Sequence, residues 1–340
     1  MPHEGHGVEK MDSYLEDQRG AGELDSEGSF SIDPLAALRK TLASALPEPH
    51  YYLFQICQGL IAGGAREIGV ALGRASTRFS FDDRQGLFSN LDPGGLSRGL
   101  ALSSADPRDL LMTGMATAVG SEMDRVVLRT PGRAQALQIT LEGADLIPVT
   151  PLDGPSSLEL HRTEARGLSF AWTRIWGARE EEGELLQRYA FAPVDMTVGG
   201  LLTSPCARFP RFLGMSAATV LREAVVLGER AGHRVPSETG VEAPALLLSP
   251  EGEAMGEAPG EGARQWSLFR TDGDDPESRL VWIRHGQLFQ VTREDLGLPG
   301  LLVLAPAEGL DVDASGYSLV VNEAYERRVE QARRLAAALA

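Results

Sequence analysis

The sequence predicts an α/β protein of two domains whose sheets are largely antiparallel. Three observations carry that expectation. The chain has 340 residues, enough for two hydrophobic cores. Its first half runs from helical apolar spacing into several consecutive strand-like stretches, the pattern of an antiparallel sheet with helices packed on it. Its second half repeats the scheme on a smaller scale, with strand-like runs closed by one amphipathic helix. The expected division is an acidic tail over 1–30, a first domain over 31–204 and a second over 205–340.

The tail is polar: Glu4, Glu9, Asp12, Glu16, Asp17, Glu23, Asp25 and Glu27 face only Lys10 and Arg19. Such a segment buries too little apolar surface to offset its chain entropy and reads as disordered. "DPLAALRKTLASAL" reads as a helix, with Asp33 as N-cap, Pro34 in the first turn and Leu35, Leu38, Leu42 and Leu46 at helical spacing. A second helix spans about Tyr51 to Ile61 and ends at the pair Gly63-Gly64. "REIGVALG" and "STRFSFDD" alternate like paired strands, and "LLMTGMATAVGSEM" reads as a helix rich in small residues. "DRVVLRT", "ALQITLE", "SSLELHR" and "LSFAWTRIW" read as consecutive strands. "EGELLQRYAFA" reads as a helix leading into the strand "PVDMTVGG". In the second half, Pro250 to Ala263 has the composition of a flexible acidic loop. "RQWSLFR", "RLVWIRHGQLFQV" and "GLLVLAP" follow as strand-like runs. The closing helix carries Tyr325, Val329, Ala332, Leu335 and Leu339 as one stripe.

Charge and composition exclude several functions. A net charge of −16 argues against a non-specific nucleic-acid surface and against an anionic membrane surface. No apolar run is long enough to span a bilayer, and the acidic N-terminus lacks a signal-peptide pattern, so a cytoplasmic chain is expected. Cys57 and Cys206 have no metal or redox spacing and are expected as buried free thiols. Lys10 and Lys40 are the only lysines, so no P-loop and no Schiff-base lysine can lie after residue 40.

Several local phrases carry a resemblance. "GAREIGVAL" follows a helix with a glycine exit. "FSFDDRQG" sets Asp82 and Gly86 at aspartate-x-glycine-x-glycine spacing, with Arg84 in the middle place. "TGMATAVGSEMDRVVLRT" puts Gly114 and Gly120 ahead of a strand that opens with Asp-Arg-Val. "RGLSF" carries Leu168 where a threonine is expected, and "RYAFAPVDMTVGG" closes the region. In phrasing and element order, about Phe30 to Gly200 resembles the ATPase domain of the Hsp90-like (GHKL, Bergerat-fold) superfamily, in a divergent bacterial form. The resemblance implies an α/β sandwich, a mixed and largely antiparallel sheet with helices on one face, followed by a second smaller α/β domain.

It also implies a nucleotide site, and there the sequence departs from the family. The family's helix carries a glutamate base, a magnesium-binding asparagine and a supporting aspartate. The matching positions here hold Gln55, Gly59 and Ala62. Gln55 cannot take a proton and Gly59 has no ligand atom. No Asp or Glu lies between Glu48 and Glu67. The implied ligand is ATP or ADP, the magnesium ligand is missing, and Asp82, Gly86, Gly114 and Gly120 are the implied nucleotide-binding residues. The expected function is a non-hydrolysing, pseudo-ATPase binding or regulatory scaffold with a protein partner. The alternative is an active chaperone-like ATPase whose base comes from another segment or from a partner. A homodimer through the closing helix would need the Leu335 and Leu339 face exposed.

Two other motifs are weaker. "RHG" at Arg284 to Gly286 resembles a histidine-phosphatase signature, but no histidine follows His285. It reads instead as a strand ending in a glycine turn. "GMSAA" lacks the second glycine of a nucleophile elbow.

Overall fold

A computed structural model describes residues 48–340, except 92–105, 163–179, 204–219, 229–231, 236–243, 260–263, 273–276, 314–315 and the single positions 49, 74, 90, 122 and 141. The expected tail, the helix begun by Asp33, the strand "LSFAWTRIW" and Cys206 lie outside the described residues. The protein is α/β, with two mixed sheets and four helices among the described residues.

The first sheet contains β1 (Glu67–Leu72), β2 (Ser76–Phe81), β3 (Arg125–Arg129), β4 (Gln135–Thr140), β5 (Ala144–Pro148), β6 (Ser156–His161), β7 (Asp195–Val198) and β8 (Leu201–Leu202). Their order is β5-β4-β3-β6-β2-β1-β7-β8. Every pairing is antiparallel except β1 with β7. The register sets Val70 opposite Phe79, Phe79 opposite Leu158 and Leu158 opposite Leu128. Because side chains alternate along a strand, those residues share one face. Three helices cover that face: α1 (Tyr52–Ala62), α2 (Pro107–Ser121) and α3 (180–188). Together they form one apolar core.

The second sheet contains β9 (Val220–Leu227), β10 (Leu246–Leu248), β11 (Ala254–Glu257), β12 (Arg264–Thr271), β13 (Ser278–Arg284), β14 (Gln287–Glu294) and β15 (Leu301–Pro306). Their order is β11-β10-β9-β12-β15-β13-β14. One face is covered by α4 (Glu323–Ala337), which Asn322 caps by accepting the N–H groups of Ala324 and Tyr325. The other face buries Val220, Phe269, Val281, Ile283, Leu302 and Leu304 against Ala190 and Phe191, which follow α3. The two sheets are therefore joined by an apolar seam.

The strand ending in a glycine turn stands as expected: "RLVWIRHGQLFQV" forms a hairpin turned by His285 (φ 47°) and Gly286 (φ 73°). Two expectations are corrected here. The acidic stretch 250–263 contains β11, because an edge strand needs only backbone pairing to β10 and all four of its residues are exposed. The closing helix is not a free dimer face: Leu335 is 0% and Leu339 2% exposed, both within the second core. Among the described residues no helix is long and apolar enough to cross a membrane.

Candidate functional site

The residues singled out by the sequence fall into two groups. Gln55, Gly59 and Gly114 meet where α1 crosses α2. Asp82 and Gly86 lie in the turn that leaves β2.

At the crossing, each helix presents a glycine to the other. A Cβ on Gly59 would stand 2.7 Å from the backbone nitrogen of Leu111. A Cβ on Gly114 would stand 2.8 Å from Ile56 Cγ1 and 3.2 Å from the Gln55 carbonyl carbon. Gly114, one of the implied nucleotide-binding residues, thus packs closely against α1. Gln55 is 8% exposed, and its Oε1 has no hydrogen-bond partner. Residues Tyr52 to Ile61 are all buried, so α1 has no open face along that stretch. Ala62 is half-buried at its end, and Gly120 is half-buried in the last turn of α2.

At the turn, Asp82 is bonded within its own hairpin. Its Oδ1 accepts the N–H groups of Arg66 at 2.7 Å and Glu67 at 2.9 Å. Its Oδ2 pairs with Arg84 Nε at 2.6 Å. Burial pushes the carboxyl upward, but the Glu67 and Arg66 N–H groups and the Arg84 guanidinium outweigh it and hold the group below its ordinary value. Arg84 is exposed, so it does not fill a pocket. Gly86 adopts φ 62° with open space around it, the role of a turn glycine. Asp83 fixes the next stretch by accepting the N–H groups of Leu87 and Phe88 and the Ser89 hydroxyl.

That second anchor places Phe88, a residue sequence reasoning missed. Its ring lies edge-on to Phe81 at 5.8 Å between centroids and is 2% exposed. A Cβ on Gly63 would stand 2.4 Å from its Cζ. Between the end of α1 and the Asp82 turn there is an aromatic plug. The one signal for it was the glycine pair, whose first member makes room for a ring.

A cleft of about 570 Å³ opens beyond Phe88, along Leu91, Leu128, Leu137, Leu146 and Pro148. None of Gln55, Gly59, Asp82, Gly86, Gly114 and Gly120 lines it. Among the described residues no group of three or more His, Cys, Asp or Glu side chains gathers as a metal site would require. At the position that the resemblance gives to the magnesium ligand, Gly59 offers no ligand atom and no room for one, so that position does not fit the ion.

The chain matches no protein-family model and no curated protein. Among solved structures it is similar to one described as the N-terminal domain of a DNA repair protein, at TM-score 0.32 and 13% identity over 49% of this chain. The alignment spans 54%, about half, of that structure. A likeness so slight carries no weight for fold or function.

Proposed function

We propose that this chain is a catalytically silent protein of the Hsp90-like (GHKL) kind, working as a binding or regulatory scaffold for a protein partner in the cytoplasm. The observation that carries this reading is the contact between Gly59 and Leu111. At the family's magnesium position a side chain of any size would collide with the backbone of α2. Beside it, Gln55 has neither a titratable group nor an approach from solvent. Where α1 crosses α2, Gly59 and Gly114 serve packing.

The test is thermal melting of the full chain with ATP or ADP, each with and without magnesium, alongside a phosphate-release assay. A ligand bound far above its dissociation constant adds about 2–3 kcal/mol. The expected result is no magnesium-dependent shift and no turnover. A shift that requires magnesium, or measurable hydrolysis, would overturn the reading. A magnesium-independent shift lost on Asp82→Ala would narrow it to a nucleotide sensor.

A further inference from the structure

A second polar cluster lies where the β13–β14 hairpin meets α1. The hairpin turn is seated on the first sheet's domain: a Cβ on Gly286 would stand 2.5 Å from Pro193 Cδ and 3.2 Å from Ala192 Cα. Arg284 and Gln287 are the closing pair of the hairpin, directly opposite one another, so their side chains share a face. From α1, Gln58 Nε2 donates to Gln287 Oε1.

The donors of this pair are left over. Gln287 is 0% exposed, and its Nε2 has no partner. Arg284 is 7% exposed, its Nε has no partner, and among the described residues it makes no ion pair, though the Glu308 carboxylate acts on it from nearby. The Phe289 ring lies below its guanidinium at 5.7 Å. The neighbouring acid, Glu308, spends its Oε1 on the N–H of His285 at 2.8 Å. Arg328 donates to the carbonyl of Pro306 at 2.9 Å, bringing a second cation to the Glu308 carboxylate. His285 is neutral at neutral pH, since burial, with Arg284 beside it, pushes its imidazole down to about 4. The cluster therefore holds two guanidinium groups against one carboxylate. A buried guanidinium that shares its nearby carboxylate with a second cation is only partly compensated, and leftover donors in such a place call for an acceptor.

We propose that this joint binds a small oxyanion, phosphate or carboxylate, between the Arg284 guanidinium and the Gln287 amide. Both groups are donors, and a guanidinium beside an amide suits an oxygen-bearing anion better than chloride. The site is reached from α1 through Gln58 and needs no nucleotide. Its occupant would tie the second sheet to α1.

The test is the melting temperature of the full chain in sodium phosphate and in sodium acetate, each against sodium chloride at matched ionic strength. The expected result is a saturable rise of about 2–4 °C in phosphate or acetate. Arg284→Gln should remove it. Gln287→Glu keeps the oxygen that accepts from Gln58 and sets a carboxylate oxygen where the unpartnered nitrogen stands. That variant should melt above the wild type in chloride and ignore added phosphate. The proposal falls if the wild type gains nothing from either anion, or if Arg284→Gln gains as much as the wild type. It falls equally if Gln287→Glu melts lower and still responds. Should Arg284→Gln fail to fold, Gln287→Glu decides alone.

Discussion

Gly59 and Leu111 approach so closely that a Cβ on the glycine would stand 2.7 Å from the leucine's backbone nitrogen. The reciprocal contact, Gly114 on Ile56, closes the crossing from the other side. On an exposed helix, Gly→Ala is stabilising by about 1 kcal/mol. Here the sign should reverse. Gly59→Ala and Gly59→Asn should each lower stability by about 1–3 kcal/mol through overpacking. Urea unfolding checks this, and magnesium should not rescue the asparagine variant. A stabilised Gly59→Asn protein would mean that the helices stand further apart.

The Asp82 carboxylate should stabilise the hairpin by about 1 kcal/mol through its N–H partners. Its folded value is depressed, so that contribution is present above the unfolded value near ~3.9 and is lost as pH falls through the folded value. Asp82→Asn should therefore be less stable than the wild type at pH 7 and match it in strong acid. Unfolding curves across that range decide the matter; a constant gap at every pH would assign the effect to shape alone.

Two buried histidines set the behaviour in milder acid. His233 is 1% exposed, bonds Ser267 Oγ at 2.8 Å and is pushed down to about 3 by burial, with Arg264 adding. His285 is pushed down to about 4. For both, the neutral form belongs to the folded state. Their contribution is present above the unfolded value near ~6.5 and declines as pH falls below it, each by up to about 1.4 kcal/mol per pH unit. His233→Gln should flatten the decline between pH ~6.5 and ~4.5. An unchanged slope would show that His233 takes up its proton inside the fold.

Leu335 is 0% exposed in the second core. Leu335→Ala should cost about 2–5 kcal/mol. Sedimentation of the folded variant should match the wild type, because this face already packs against its own sheet. A loss of self-association at full folding would restore the helix as a dimer contact.

Much of the architecture was legible along the chain. Glycine exits and apolar spacing are local signals, and they marked α1, β1, β2, α2 and α4 close to where they stand. Strands β5 and β11 were missed because both are largely exposed edges with little apolar alternation; β9 and β10, inside the second sheet, were missed as well. That neither Gln55 nor Gly59 carries a carboxylate was also legible, since it depends only on residue type.

The sequence by itself determined the α/β plan and the absence of acidic side chains on α1. Only the tertiary structure decided what the residues singled out there do. Gly59 became a contact because Leu111 lies against it, and Phe88 became a plug because Gly63 leaves room for a ring. Gln58 found Gln287 across 229 residues of chain. Periodicity reports which face of an element is apolar. It carries no information about which distant backbone will press on that face, because the choice is made by the packing of whole elements against one another.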